Sequence, residues 1–160
     1  MKPKLYLETT IPSYLTARPT RDPLMAGQLA ATRKWWRLRR NEFELFASQL
    51  VLDEAARGDL GAANRRRTIL AKIPILPVNQ DAEELIAAIG DTGLIPPNAS
   101  DDAVHIAIAT ASRMHFLLTW NCRHINNREI LPEIERACAS LGYTCPVVCT
   151  PLELMGTSER

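Results

Sequence analysis

Two adjacent acids, Asp101 and Asp102, stand where a predicted loop gives way to the nearly all-apolar stretch 103–109. A carboxylate is costly to bury unless it is paired or binds a cation. The acids therefore have two interpretations: they cap a helix and complement its dipole, or they hold a cation at the edge of a sheet. Capping is the stronger interpretation for Asp101, and cation binding is the stronger one for Asp102.

Further oxygen ligands follow three other predicted elements. Glu8 ends a short apolar strand, Glu54 lies one to two helical turns after Ser48, and Asn121 follows the most apolar strand pattern of the chain. Ligands of open parallel sheets bind beyond the carboxyl ends of the strands, so these side chains are expected to converge on one rim. Surface acids are the simpler interpretation of Glu8 and Glu54 if they do not converge.

Such a rim has a defined chemistry. Mg²⁺ and Mn²⁺ are hard cations that prefer oxygen ligands. A bound ion can activate water and neutralise the charge that develops on a phosphate. The pattern therefore predicts metal-dependent hydrolysis of a phosphodiester, a reaction that needs no side-chain nucleophile.

Hydroxyl groups flank the acids. Thr9 follows Glu8, and Thr119 lies two residues before Asn121. Either hydroxyl could hydrogen-bond a carboxylate or a metal-bound water, although threonine is also an ordinary strand residue. Ser48 is expected to cap the helix that carries Glu54 and to face the same pocket.

Basic residues lie near two of the oxygen ligands. His105 is three residues past Asp102 and could transfer a proton, but a packed, hydrogen-bonded core histidine is the stronger interpretation. Arg123 and His124 follow Asn121 closely enough to face a phosphate. Packing is again the simpler role for His124.

The elements that must position these residues alternate along the chain. Strands are predicted at 4–7, 43–47, 73–78, 115–120 and 146–149, and helices at 24–40, 49–57, 62–71, 81–89, 102–114 and 131–141. Two prolines in the segment 73–78 place that strand at an edge or shorten it. The alternation predicts a layered α/β fold with a mostly parallel sheet. No repeat or linker divides the chain, so residues 1–160 are predicted to form one domain.

Composition excludes several classes of protein. The 160 residues are 46% hydrophobic and 23% charged, with a net charge of +1. The overall electrostatic field therefore does not favour binding to nucleic acid or to a membrane. No stretch has the pattern of a secretory signal or a membrane span, and the expected compartment is the cytoplasm. The spacing of Cys122, Cys138, Cys145 and Cys149 suits neither a zinc site nor a disulfide framework, so reduced thiols are expected.

The predicted helix 24–40 carries two adjacent tryptophans among arginines. Because Trp35 and Trp36 cannot both point to one side of a helix, one is expected in the core and the other against a partner. The arginines would assist an RNA backbone or an acidic peptide. A homodimer is the symmetric default for a small oligomer.

Four segments together resemble the PIN domain, a family of metal-dependent ribonucleases. They are Tyr6-Leu7-Glu8-Thr9, residues 48–54, residues 102–109 and Leu117-Leu118-Thr119-Trp120-Asn121. Their order and separation match over nearly the whole chain, and the segment 102–109 is the most specific. The chain length resembles that of the small prokaryotic members, many of which are VapC-type toxins of toxin–antitoxin pairs.

The resemblance implies a three-layer α/β/α fold with a short parallel sheet, and endonuclease action on RNA at an acidic pocket that binds Mg²⁺ or Mn²⁺. By this resemblance, the metal-binding acids of the family correspond to Glu8, Glu54 and Asp102, and a fourth catalytic position corresponds to Asn121. Thr9, Ser48, Asp101, Thr119 and Arg123 are then candidates for supporting those residues or contacting the substrate. An antitoxin protein is the implied partner.

Two positions depart from the family pattern. Glu8 and Asn121 each stand where Asp is usual, so the pocket has three carboxylates instead of four, and weaker metal binding is expected. A catalytically weak or inactive module that binds RNA or protein is therefore the alternative function. A phosphotransfer domain fits less well, because no aspartyl nucleophile follows the first strand.

Overall fold

A computed structural model describes residues 1–156, and the last four residues of the expected domain 1–160 lie outside the described part. Its centre is a sheet of five parallel strands in the order β3-β2-β1-β4-β5. The strands are β1 (Lys4–Leu7), β2 (Glu44–Ser48), β3 (Ile75–Leu76), β4 (Phe116–Leu118) and β5 (Val147–Cys149). The first strand in the chain is thus the middle strand of the sheet.

Seven α-helices in residues 1–156 connect and cover the strands. They are α1 (Thr10–Thr16), α2 (Pro23–Arg39), α3 (Gln49–Ala55), α4 (Leu60–Leu70), α5 (Gln80–Asp91), α6 (Ser100–Ala111) and α7 (Leu131–Ser140). Short 3₁₀ turns at Arg40–Glu42 and Pro97–Ala99 precede β2 and α6. The α/β class and the parallel sheet predicted from the alternation of elements are confirmed.

Side-chain alternation along the strands divides the core in two. Tyr6 and Leu117 pack into a cluster with residues of α3, α5, α6 and α7, whereas Leu5, Leu7 and Leu118 pack into a second cluster with α1 and α2. Successive strand residues point to opposite faces of a sheet, and a sheet buried on both faces therefore needs apolar residues at every position. This requirement explains why Leu5-Tyr6-Leu7 and Leu117-Leu118 are continuous apolar runs, all fully buried.

Strand β3 is shorter than predicted, with two residues in place of the six at 73–78. Pro74 and Pro77 flank it, and neither has a backbone N–H to donate to a neighbouring strand. Its place at the edge of the sheet agrees with the prediction from these prolines.

The helix that carries the paired acids begins two residues earlier than predicted, at Ser100, and ends at Ala111 instead of Met114. The chain leaves it through Arg113, whose φ of 57° is in the left-handed region and cannot continue a right-handed helix. Both Asp101 and Asp102 lie in its first turn, where a negative charge is favoured by the helix dipole.

The tryptophan pair separates as the helical geometry requires. Trp35 is fully buried against Phe43, with ring centroids 5.6 Å apart, while Trp36 is only partly buried and lies under the guanidinium of Arg40 at 5.2 Å. All four cysteines are free thiols; Cys138 and Cys149 are buried and Cys122 is exposed. In the described part of the chain, no helix has both the length and the apolar character needed to cross a membrane.

Candidate metal centre

Register places the ends of β1 and β4 side by side. Leu7 pairs with Leu118, and the next backbone contact is from the Glu8 N–H to the Leu118 carbonyl at 3.1 Å. Glu8 and Thr119 are therefore the first residues beyond the carboxyl ends of two adjacent strands. This is the edge at which ligands of open parallel sheets bind.

Glu8 is a buried carboxylate with only 4% of its surface exposed. The hydroxyls of Thr10 and Thr119 both donate to its Oε1, each at 2.6 Å. No described residue donates a hydrogen bond to its Oε2. Two donors thus orient the buried carboxylate and leave one oxygen available to a further partner.

Glu54 has the same arrangement in the last turn of α3. Its Oε1 accepts hydrogen bonds from the hydroxyl of Thr9 and from Nε2 of His105, each at 2.6 Å, and no described residue donates to its Oε2. Burial raises the pKa of this carboxyl, but the hydrogen bonds from His105 and Thr9 outweigh burial and hold the pKa below its ordinary value. The carboxylate is therefore ionised at neutral pH and ready to bind a cation.

A line of hydrogen bonds runs behind Glu54 through the core. The Tyr6 hydroxyl lies 2.7 Å from Nδ1 of His105 and 2.8 Å from Oγ of Ser48, and Ser48 accepts from the Val51 N–H. A carboxylate can only accept, so Nε2 of His105 carries the proton shared with Glu54. With a neutral imidazole, the direction follows throughout: Ser48 donates to Tyr6, Tyr6 to His105, and His105 to Glu54.

This line of hydrogen bonds gives His105 a defined position. The ring is fully buried and both nitrogens are hydrogen-bonded, which agrees with the packed, hydrogen-bonded histidine predicted from the sequence. Neither the contact of His105 with Glu54 nor a polar role for Tyr6 was predicted from the sequence. Alternation along β1 could have indicated Tyr6, because a phenol in a fully buried strand needs a polar partner on its own side of the sheet.

Ligand atoms of Glu8, Glu54 and His105 all lie within 4.8 Å of one another. This confirms that the ends of β1 and α3 converge, as expected for Glu8 and Glu54. Asp102 does not belong to that group. Its Oδ2 lies 3.5 Å from Nδ1 of His124, and its side chain is 19% exposed.

The chain after β4 turns back toward Asp102. Oδ1 of Asn121 accepts from the His124 N–H at 3.0 Å, and the Asn121 N–H donates to the Thr119 hydroxyl at 2.9 Å. His124 therefore connects Asn121 to Asp102, while Thr119 connects Asn121 to Glu8. The Asn121 amide oxygen, predicted to serve a cation, is engaged in shaping its own turn.

Three other predicted residues have different surroundings. Ser48 caps α3, as predicted, by accepting from Val51 N–H. Asp101 is partly buried in the first turn of α6 and makes no side-chain hydrogen bond within residues 1–156, so the prediction that it caps this helix is wrong; the N-cap is Ala99. Arg123 is exposed, and its backbone carbonyl accepts a hydrogen bond from the Asn127 side chain. Among residues 1–156, its guanidinium forms no ion pair with the acids.

The donor set suits a hard divalent cation. In residues 1–156, no lysine or arginine forms an ion pair with Glu8, Glu54 or Asp102. Carboxylates gathered without a cationic partner repel one another, and a bound cation relieves that repulsion. The available Oε2 atoms of Glu8 and Glu54 are ligands of the kind that Mg²⁺ and Mn²⁺ prefer, so the residues fit such an ion.

Comparison with known proteins supports the fold. No protein-family model matches the sequence, and no curated protein matches it. The structure is similar to a chain in the crystal structure of VapBC2 from Rickettsia felis bound to a DNA fragment from their promoter, with a TM-score of 0.58 and 16% sequence identity. The similarity covers 91% of this chain and 97% of that chain, so the α/β fold of this protein is one that a chain of VapBC2 shares.

Proposed function

We propose that this protein is a metal-dependent endoribonuclease of the PIN type that hydrolyses RNA phosphodiester bonds. The observation that carries the proposal is the pair of oriented carboxylates, Glu8 and Glu54, at the carboxyl edge of the sheet. A chain of VapBC2 has the same α/β fold. Both carboxylates keep an oxygen to which no described residue donates, and no lysine or arginine of residues 1–156 forms an ion pair with either.

Each residue of the centre has a proposed role. Glu8 and Glu54 bind the ion, and Asp102, held by His124, supplies the third carboxylate. Thr10 and Thr119 orient Glu8, whereas Thr9 and His105 orient Glu54. Mg²⁺ or Mn²⁺, when bound there, supplies an activated water and neutralises charge on the phosphate. Asn121 acts through the turn that brings His124 to Asp102.

The partner is proposed to be an antitoxin. The similar structure is of VapBC2 with a promoter DNA fragment, and a toxin of such a pair is bound by a second protein. Under this proposal the chain acts in the cytoplasm as a homodimer, and the antitoxin covers the arginine-rich helix α2. Arg33, Arg37 and Arg40 on that helix or directly after it are suited to an acidic peptide.

Cleavage assays test the proposal directly. The protein should cut single-stranded or structured RNA with Mn²⁺, and excess chelator should abolish cutting. Asp102→Asn and Glu54→Gln should each lower kcat by at least about 100-fold, since each removes a proposed metal-binding charge. Asp53→Asn is the matched control, because that neighbouring acid is exposed and bonded to Gln49. Cutting that survives Asp102→Asn would indicate a contaminating nuclease and refute the assignment.

A second function is favoured by one observation. Asn121 is a neutral amide, so the centre has one charge fewer than a four-acid site, and the amide oxygen already accepts from the His124 N–H. A protein with this centre could bind RNA or a partner without cutting. Calorimetric titration separates the two functions: heat of binding for Mn²⁺ favours the nuclease, and its absence at millimolar concentrations favours the binding module.

A further inference from the structure

Trp120 is held rigidly next to the candidate metal centre. Its backbone N–H donates to the Thr10 hydroxyl at 2.9 Å, and that hydroxyl donates to Glu8. Its indole Nε1 donates to the Thr32 hydroxyl at 2.7 Å, and its ring stacks on Tyr14 with centroids 6.0 Å apart and planes 13° apart. An indole fixed in this way loses little side-chain entropy when a ligand packs against it.

A small apolar cavity opens beside this indole. It has a volume of about 330 Å³, and its lining includes Trp120, Leu24, Gly27, Ala31 and Leu152. Leu24 and Leu152 are 72% and 66% exposed, respectively, so the mouth of the cavity is an exposed apolar surface next to a polar site. Gln28, whose side chain carries an amide, is also among the lining residues.

We propose that this cavity binds the base of a nucleotide next to the scissile phosphate, with Trp120 as its stacking surface. The proposal rests on the proposed ribonuclease function and adds to it a site that determines where RNA is cut. The Thr10 hydroxyl links the Trp120 backbone N–H to the Glu8 carboxylate in two hydrogen bonds, so the residue that would stack on the base is anchored at the candidate metal centre. Stacking of bases on aromatic side chains is a general mode of single-strand recognition.

A base fits better than a peptide as the occupant. A helical peptide needs a long groove that accepts apolar side chains over two turns, whereas this is one compact cavity at the lower end of the size of ligand sites. A mostly apolar wall with a single amide suits a flat heterocycle with polar edges.

The test is equilibrium binding of labelled oligoribonucleotides without divalent metal, so that no cutting is required. An abasic residue is moved through a short oligonucleotide one position at a time. At one position, loss of the base should weaken binding to the wild-type protein by roughly 10- to 100-fold, the range expected for one stacked base.

Filling the cavity should abolish this sensitivity. Gly27 lines the cavity and no atom lies within 4 Å of a Cβ built on it, so there is room for a side chain to begin there and Gly27→Leu should reduce the cavity. In this variant the abasic and intact oligonucleotides should bind within about twofold of each other, and Trp120→Ala should behave in the same way. Ala30→Leu, an exposed position of α2 outside the cavity lining, is the matched control and should retain the wild-type profile.

The failures of the two proposals are distinguishable. A wild-type protein with no sensitive position, or a Gly27→Leu variant with the wild-type profile, would overturn the base site even if Mn²⁺-dependent cleavage occurs. A wild-type profile in Gly27→Leu would indicate that the cavity binds something other than a base, such as a protein side chain. A sensitive position lost in Gly27→Leu, without cleavage by the wild type, would support the base site and refute the nuclease.

Discussion

His105 Nε2 lies 2.6 Å from Oε1 of Glu54, and the imidazole is fully buried while the carboxylate reaches the surface. The two residues are 51 positions apart in the chain and belong to different helices, α6 and α3. The contact fixes one carboxylate of the candidate metal centre from inside the core. His105 is thus a positioning residue for Glu54, and Tyr6 positions His105 in turn.

The lowered pKa of Glu54 predicts how stability depends on pH. Its carboxyl has an ordinary pKa of 4.5 and a lower one in the folded protein, so its ionised form stabilises the fold fully above about pH 4.5. The contribution is lost as the pH falls through the folded pKa. Urea unfolding of the wild type and Glu54→Gln should give a difference in unfolding free energy that is constant near neutral pH and shrinks below about pH 4.5.

Thr9→Val gives the matched control for that experiment. It removes one of the two donors to Glu54 and keeps the carboxylate. The pH at which stability is lost should therefore shift upward toward 4.5. A difference between wild type and Glu54→Gln that does not vary with pH would contradict the assigned hydrogen bonds.

Removal of the Tyr6 hydroxyl should destabilise the protein. Burial, followed by the charges of Glu8 and Glu54, raises the pKa of Tyr6 far above its usual range, against the Ser48 hydrogen bond, so the phenol keeps its proton. Tyr6→Phe leaves Nδ1 of His105 without its donor in a buried place, at a cost of about 1–3 kcal/mol. Thermal or urea unfolding measures the loss.

Tyr143→Phe is the comparison for this effect. Tyr143 is half-buried at the surface, and its hydroxyl is hydrogen-bonded to Asp81. Water can replace that hydroxyl at the surface, so the change in stability should be smaller than for Tyr6, at about 0.5 kcal/mol. Equal destabilisation by the two substitutions would show that the hydroxyl of Tyr6 contributes nothing through His105.

A carboxylate at position 121 should strengthen metal binding. In Asn121→Asp, Oδ1 can still accept from the His124 N–H, so the turn is retained and one negative charge is added. Calorimetry should show Mn²⁺ binding about 10-fold tighter, the lower bound for changes beside a metal site.

Asn127→Asp adds the same charge in the loop that follows. Its side-chain oxygen accepts from the Glu129 N–H, a contact that an aspartate retains, whereas the bond from its side-chain nitrogen to the Arg123 carbonyl is lost. This variant should bind Mn²⁺ as the wild type does. Equal affinity of wild type and Asn121→Asp would mean that position 121 does not belong to the metal centre.

The thiols should react in an order set by their burial. Cys122 is exposed, whereas burial, followed by the charge of Glu153, raises the pKa of Cys149 to about 12, although Arg128 opposes this. Alkylation of the native protein at neutral pH should modify Cys122 and spare Cys149, because the thiolate is the reactive form. Peptide analysis measures modification at each cysteine, and in Cys122→Ser the thiol of Cys149 should still be spared. Early modification of Cys149 would contradict its buried position.

The layered fold could be predicted from the sequence because its rules are local. Alternating apolar and helical segments, the prolines around β3 and the cap at Ser48 each act within a few residues. The proximity of Glu8 and Glu54 could also be anticipated, since the short helix α3 begins directly at the carboxyl end of β2, the strand next to β1. Element ends were less predictable: α6 begins at Ser100 because the preceding 3₁₀ turn leads directly into it.

The amino-acid sequence by itself determined which residues lie at the edge of the sheet, because strand periodicity and the parallel arrangement leave no other place for Glu8 and Thr119. Only the tertiary structure decided what each of them contacts. His105 donates to Glu54, Trp120 is fixed by Thr10 and Thr32, and Asp102 pairs with His124 across segments distant in the chain. Such contacts depend on side-chain directions and on the relative positions of the elements to within an ångström. The packing of both core layers sets these positions, and no local sequence pattern encodes them.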